Sequence, residues 1–201
     1  ETEEILKKYS PFYKLKMRLN DNYKFIAINE NFLSDTFPDT DLNLNVQQQG
    51  KFLRMHYLKK KYHLLVLNKG SNCFKDFMIS NDLNEWERDN IINEDFNIKS
   101  GDMNKYTPHE LGYHQTNRID FEKGCYTGQE IVARMHYRAK KLPRLLTKSV
   151  GKNEIISSEV FDEEGKKVGS LLSTAEESDT TLCLLSMNKN YDDGIITFKG
   201  S

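Results

Sequence analysis

Pro143 is the feature that most constrains the fold, because a proline ends any helix that precedes it. A helix expected from about Gly128 must therefore stop before this residue. Beyond Pro143 the chain shows short runs typical of strands, most clearly at 159–170, where two such runs flank a turn that contains Gly165. Further short strands are expected near Leu182 and Ile195. We therefore predict that residues 143–201 form an all-β region.

The preceding 142 residues mix helical and strand patterns, so the predicted fold class is α+β. The predicted elements are a helix at 3–9, a hairpin at 14–28, a polar loop at 29–50, a strand pair at 52–58 and 62–67, and a helix from Asp82 to about Glu94. Asp82 and Glu85 form a capping-box pattern at the start of that last helix. The basic run 59–61 is expected to be the turn between the paired strands.

Composition excludes several classes of protein. The 201 residues are 37% hydrophobic and 29% charged, and the longest apolar runs, such as 64–67, are far too short to span a bilayer. The net charge of −1 argues against a globally basic nucleic-acid binder. The three cysteines (Cys73, Cys125 and Cys183) are widely spaced, so neither a zinc ribbon nor a disulfide scaffold is expected. Reduced thiols inside a cell are the simplest expectation.

Residues 123–134 carry the most informative pattern. Thr127 and Glu130 match a capping box, which predicts that Thr127 is the N-cap of the second helix and that Ile131 and Met135 share its apolar face. Cys125 would then lie beside the positive end of the helix dipole, close to Lys123, and both charges would favour its thiolate. The alternative is that Cys125 is a small buried packing residue.

The run from 123 to 130 reads Lys-Gly-Cys-Tyr-Thr-Gly-Gln-Glu. It closely resembles the K-G-C-Y-x-G-Q-E signature of the YgfZ-type folate-binding proteins, which are relatives of aminomethyltransferase, the T protein of glycine cleavage. Every fixed position is matched, with Thr127 at the variable one. The segments 107–111 and 118–121 are also similar to the family's sequence before the signature, and 6–9 and 14–19 are similar to a helix and strand midway through its large domain.

The resemblance implies a particular organisation. Residues 1–142 would be part of an aminomethyltransferase-like folate-binding domain, and the first residue would align with a position inside that domain. Residues 143–201 would be a small β-barrel-like domain. The implied ligand is tetrahydrofolate, and the implied partners are iron-sulfur cluster proteins or their assembly factors. The implied location is the cytoplasm, or the mitochondrial matrix of a eukaryote.

The resemblance also implies a function: support of iron-sulfur cluster assembly or repair, and through it the methylthiolation of tRNA. Cys125 would be the functional thiol and Lys123 its charged neighbour. The folate-contacting or loop-shaping residues would be Gly124, Tyr126, Gly128, Gln129, Glu130 and Arg134. One alternative is an aminomethyltransferase, although that reaction needs a carboxylate and has no obvious use for a thiol. Another is a structural remnant that binds nothing.

Two further patterns are open to misinterpretation. His109 and His114 resemble a zinc-protease motif but are five residues apart, which on a helix would place them on different faces, so no metal site is expected. The stretch 134–148 contains six basic residues and no acidic one. It is either a solvated surface or a docking site for a folate polyglutamate tail or RNA. Direct RNA binding is the weaker option, because only Tyr137 offers a ring for base stacking.

Overall fold

The computed structural model describes residues 2–29, 46–49, 52–56, 62–68, 83–116, 118–154, 156–191 and 194–198. Contacts between Cα atoms divide the chain into two compact units, unit 1 (Glu1–Met78) and unit 2 (Ile79–Ser201). This division differs from the boundary expected near Pro143, which lies inside unit 2. The signature run at 123–130 belongs to unit 2.

The described residues of unit 1 form one α-helix and a four-stranded antiparallel sheet. Its elements are α1 (Thr2–Tyr9), β1 (Tyr23–Asn29), β2 (Val46–Gln49), β3 (Phe52–His56) and β4 (Tyr62–Asn68), and the strand order is β1-β4-β3-β2. In α1, Glu3 lies in the first turn and pairs with Lys7 in the last turn at 2.7 Å. This arrangement of charges complements the helix dipole.

The hairpin predicted at 14–28 is wrong. Residues 15–19 form no strand, and the large side chains of Leu15 and Leu19 are exposed. β1 pairs instead with β4, with Ala27 opposite Leu64. The unbroken apolar run 64–67 suits a central strand, and its pairing with β1 and β3 overrides the local turn signal at 20–22.

The remaining predictions for unit 1 have mixed outcomes. The helix at 3–9 is confirmed, and the strand pair at 52–58 and 62–67 is confirmed as β3 and β4. β2 lies within the segment predicted to be a polar loop, so that prediction is wrong at 46–49. The basic turn at 59–61 lies outside the described residues.

In the described residues of unit 2, two α-helices accompany a curled five-stranded antiparallel sheet that forms a half-barrel. Its elements are α2 (Asn84–Ile92), α3 (Gln129–Arg138), β5 (Arg144–Gly151), β6 (Glu159–Asp162), β7 (Lys167–Glu176), β8 (Thr180–Met187) and β9 (Ile196–Thr197), and the strand order is β5-β8-β7-β6-β9. The all-β region after Pro143 and the α+β class are confirmed. Gly165 adopts φ 77° in the turn between β6 and β7, as its position predicts.

The strand β8 separates two apolar clusters by simple alternation. Cys183, Leu185 and Met187 pack into one cluster with residues of β5, β6 and β7, whereas Leu182 and Leu184 pack into the other. Because successive side chains of a strand point to opposite faces, both faces of β8 are covered. The second cluster is completed by α2 and by the loops that follow it, which contribute Ile91, Phe96 and Leu111.

Hydrogen bonds attach α2 to the edge of this sheet. The side chain of Asn84 donates to the carbonyl of Glu176 and accepts from its N–H, both at 2.9 Å, and the Thr147 hydroxyl donates to the carbonyl of Ile91. The helix predicted from Asp82 to about Glu94 is confirmed as α2, whose N-cap is Leu83 and makes no side-chain cap hydrogen bond; Asp82 lies outside the described residues. In the described part of the chain, no helix has the length and apolar character needed to cross a membrane.

Candidate functional site

The signature loop, residues 123–128, begins at a turn that Asp120 organises. Its Oδ1 accepts hydrogen bonds from the N–H groups of Glu122 at 2.9 Å and Lys123 at 3.1 Å. An aspartate that satisfies backbone amides two and three residues ahead stabilises a tight reversal of the chain. These hydrogen bonds fix the backbone at the start of the signature loop.

Cys125 is exposed at the surface of this loop, and its thiol makes no hydrogen bond or ion pair with another described residue. The alternative that Cys125 is a buried packing residue is therefore wrong. That role belongs to Cys183, which is fully buried and whose thiol pKa is raised to about 11 by burial. Lys123 extends over the ring of Tyr126, with its Nζ 4.8 Å from the ring centroid. This distance is that of a cation–π contact.

The predicted capping box at Thr127 and Glu130 is wrong. The N-cap of α3 is Gly128, which has φ 86° and makes no side-chain cap. The N–H of Gln129 donates to the carbonyl of Tyr126 at 3.1 Å, so residues 126–129 form a tight turn whose third position needs a positive φ. Glycine meets this requirement without strain, and Thr127 is an exposed turn residue.

The helix α3 presents a polar surface around the remaining signature residues. Glu130 and Arg134 form an ion pair of 2.8 Å on its exposed side. Ile131 is 64% exposed, so the predicted apolar face of Ile131 and Met135 is wrong, and the buried position is Val132. Gln129 is half-buried, and a Cβ atom added at Gly124 or at Gly128 would meet no described atom within 4 Å. The structure therefore brings Lys123 to Tyr126 and Glu130 to Arg134, and it places Cys125 in neither pair.

The segment that leads into the signature loop is fixed by a buried ion pair that the sequence did not reveal. Nη2 of Arg118 lies 2.7 Å from Oδ1 of Asp95, and the Arg118 guanidinium lies 4.8 Å from the ring centroid of Tyr113. The Tyr113 hydroxyl donates to the carbonyl of Phe96 at 2.8 Å. These contacts attach the segment before the loop to the residues that follow α2.

The rings of three histidines in unit 2 lie close together. We call His109, His114 and His136 the histidine cluster. The His109 ring is fully buried and stacks on His114 with centroids 5.0 Å apart. Its centroid is 6.4 Å from that of His136, which in turn stacks on Phe121 at 3.8 Å.

The prediction that His109 and His114 cannot share a face is wrong, because residues 107–116 are not a regular helix. Gly112 has φ 68° and a short 3₁₀ turn follows at Tyr113–Gln115. Within the described ranges, no group of three or more His, Cys, Asp or Glu side chains is arranged to hold a metal ion. Burial, and then the neighbouring His114 and His136, hold the pKa of His109 below its usual value. Burial and His136 likewise lower the pKa of His114.

The basic stretch 134–148 does not form one uncommitted positive surface. Arg134 pairs with Glu130, the guanidinium of Arg144 lies 5.6 Å from the centroid of the Tyr191 ring, and Lys148 donates to the carbonyl of Ile196. At least half of the six basic side chains thus have partners within unit 2. This makes an extended anion-docking surface less compelling than the sequence suggests.

Comparisons with known proteins agree with the family resemblance. No protein-family model matches the chain. A curated relative named tRNA-modifying protein YgfZ from Aliivibrio fischeri strain MJ11 is 25% identical over 205 aligned positions, which cover 94% of this chain and 62% of the relative. Proteins of the same name from Pectobacterium carotovorum strain PC1 (32% over 146 positions) and Vibrio atlanticus strain LGP32 (26% over 145 positions) match 66% and 67% of this chain and 43% and 45% of their own lengths.

The chain thus spans about half the length of the curated relatives it matches. Several relatives carry one name, and one of the matches extends along nearly the whole chain. Together with the complete signature at 123–130, these similarities support the resemblance of the chain to YgfZ-type proteins.

Proposed function

We propose that this protein acts in tRNA modification, as the names of its relatives state for them, and that the thiol of Cys125 carries this activity. The observation that carries the proposal is the exposure of Cys125 within a complete signature loop. An exposed thiol is available as a nucleophile, a ligand or a redox group, whereas a buried thiol such as that of Cys183 is inert.

The neighbours of Cys125 support distinct roles. Lys123 supplies a positive charge next to the thiol in sequence, and its contact with Tyr126 holds that charge at the loop. Glu130 and Arg134 neutralise each other on α3, so this pair is suited to shaping the surface beside the loop. An aminomethyltransferase would need a carboxylate to handle the amine, and the signature's only carboxylate is engaged by Arg134.

We further propose that the ligand is tetrahydrofolate and that the partners are iron-sulfur cluster proteins or assembly factors, which makes methylthiolation of tRNA the affected modification. The support is the family resemblance of the signature. Gly124 and Gly128 add a physical argument, since their open surroundings would allow a flat ligand to approach the backbone closely.

The function is tested by rescue in bacteria that lack their own YgfZ-type protein. The chain is expressed alone, and also in place of the aligned part of the Aliivibrio fischeri relative, and methylthiolated nucleosides in total tRNA are measured by mass spectrometry. The proposal predicts that at least one of the two forms restores methylthiolation. Failure of both forms at normal protein levels would contradict it.

Ligand binding is tested separately by thermal denaturation with reduced folate. A ligand at about 100 times its dissociation constant stabilises the folded state by about 2.7 kcal/mol, which raises the melting temperature by several degrees. We expect this shift in the form that rescues methylthiolation. Rescue without any shift would leave the role in tRNA modification intact and refute tetrahydrofolate as the ligand.

A further inference from the structure

The histidine cluster lies outside the signature loop and has no role in the function proposed above. It joins three separate parts of unit 2: His109 in the turn at 107–112, His114 in the following 3₁₀ turn and His136 in the last turn of α3. Phe121, stacked on His136 at 3.8 Å, adds the segment that leads into the signature loop. The cluster therefore connects α3, which begins at the end of the signature loop, to the loops that pack on the sheet.

Four of the six ring nitrogens of the cluster are unusual because they are buried without a hydrogen-bond partner among the described residues. Both Nδ1 and Nε2 of His109, and Nδ1 of His114 and of His136, make no hydrogen bond with any described residue. A neutral imidazole tolerates such a site at a moderate energetic penalty. A protonated imidazole has two N–H donors and a full charge, and at the fully buried His109 no described residue accepts a hydrogen bond from either ring nitrogen.

Among the described residues, no carboxylate is a cause of the lowered pKa of His109 or of His114. The charges that act on His109 are those of His114 and His136, and the charge that acts on His114 is that of His136. From the turn itself, the Glu110 carboxylate is occupied by the N–H and hydroxyl of Thr107.

The other packed elements contribute uncharged groups at these points, or charges that are already paired. β8 faces the turn with the Ser186 hydroxyl, which donates to the carbonyl of Glu110, and β5 faces it with the Leu145 side chain against Gly112. In the segment before the signature loop, Arg118 is paired with Asp95, and Asp120 accepts from backbone amides. On α3, the residue after His136 is Tyr137, whose ring packs edge-on against it.

We infer that the histidine cluster is a proton-sensitive clamp, which holds α3 against the turn at 107–116 while its rings are neutral and releases α3 when they are protonated. Protonation of a second ring adds repulsion between like charges to the loss of solvation. The lowered pKa values of His109 and His114 agree with this inference. A histidine whose pKa is lower in the folded state binds a proton more readily once the clamp has opened. The clamp is therefore intact above pH about 7 and weakens as the pH falls below about 6.5.

The first test is hydrogen exchange of the α3 amides at pH 7.5 and pH 5.5, corrected for intrinsic exchange rates. At pH 5.5, one unit below the ordinary histidine pKa, a histidine that can bind its proton only in the open state favours opening by up to about ten-fold. The protection of the α3 amides against exchange falls by the same factor for each such histidine. We expect a loss of about 10- to 100-fold in α3 of the wild-type protein. A loss of less than three-fold would overturn the inference.

A double variant tests whether the histidines cause this loss. His114→Phe with His136→Phe keeps aromatic rings against His109 and Phe121 but removes two titratable groups, so the pH-dependent loss should fall to the part that His109 alone causes, at most about ten-fold. The matched control Tyr137→Phe, one residue along, should retain the wild-type loss. Equal pH dependence in the double variant and the control would overturn the inference.

Two measurements on the wild-type protein cover the case in which the double variant fails to fold. An NMR titration of the histidine ring protons should show His109 and His114 titrating below pH 6.5, and midpoints at or above 6.5 would contradict the clamp. One equivalent of Zn²⁺ at pH 7.5 should leave the melting temperature unchanged. A rise of several degrees that is absent in His136→Phe would show that the cluster is a metal site instead.

Discussion

Replacement of Arg118 by methionine tests how the chain before the signature loop is held in place. Asp95 is only 6% exposed and Arg118 19%, and the two are joined by an ion pair of 2.7 Å. Methionine keeps most of the side-chain volume but removes the positive charge that lies beside the buried carboxylate. Breaking a buried pair in this way typically costs 3–5 kcal/mol, much of which is the penalty of the uncompensated charge. We therefore expect Arg118→Met to destabilise unit 2 by about 3–5 kcal/mol.

The assay is urea denaturation followed by the fluorescence of Trp86, the only tryptophan, which lies in α2 of the same unit. The double variant Asp95→Asn with Arg118→Met also removes the buried negative charge, so it should be more stable than Arg118→Met alone by at least 1 kcal/mol. A cost below about 1 kcal/mol for Arg118→Met, or no recovery in the double variant, would refute the argument from a buried charge.

Three other changes have expected outcomes that follow from local geometry. Thr127→Ala should change the unfolding free energy by less than about 0.5 kcal/mol, because Thr127 is not the N-cap of α3. Gly128→Ala forces alanine to φ 86° and should lower the unfolding free energy by about 1–2 kcal/mol. If urea denaturation shows Thr127→Ala to be the more destabilising change, Thr127 is the N-cap after all. Iodoacetamide at pH 7.5 should label Cys125 in the native protein and Cys183 only after unfolding, because Cys183 is buried with a pKa raised to about 11; equal labelling by peptide mass spectrometry would contradict this. Gly169→Ala should destabilise unit 2 by about 1–3 kcal/mol, since its Cβ would lie 2.7 Å from a backbone oxygen of β8, and an unchanged urea midpoint would contradict that packing.

The sequence predicted those elements whose signals are local. The strands after Pro143 have apolar runs, and their turn contains Gly165, so periodicity and turn chemistry both point to the observed structure. The apolar residues of β8 illustrate the limit of this reasoning, because alternation places Cys183 and Leu184 on opposite faces of the strand but does not say which residues cover each face.

The errors arise where a distant contact or a single backbone angle decides the structure. The run 15–19 alternates like a strand, yet β1 pairs with β4, some forty residues further along the chain. The sequence has the Thr-x-x-Glu spacing of a capping box at Thr127, but Gly128 takes a positive φ and becomes the N-cap. The spacing of residues carries no information about that backbone angle. At Gly112 the same kind of angle breaks the helix assumed for the two histidines.

The candidate site was predicted in part. The signature located the loop, and the exposure of Cys125 fits a functional thiol. The Arg118–Asp95 pair and the histidine cluster were missed because each joins segments that are far apart in sequence. His136 gave no signal of its own, since a lone histidine in a helix is ordinary.

The central claim is that the exposed thiol of Cys125 carries the function, and one ratio tests it most directly. In the rescue form that restores methylthiolation, Cys125→Ala is compared with Thr127→Ala, a neighbouring exposed residue in the same turn, at equal protein levels. The account predicts that Thr127→Ala restores methylthiolated tRNA to the wild-type level and that Cys125→Ala restores less than a tenth of it, while both melt within a few degrees of the wild-type protein. Equal rescue by the two variants would contradict the claim.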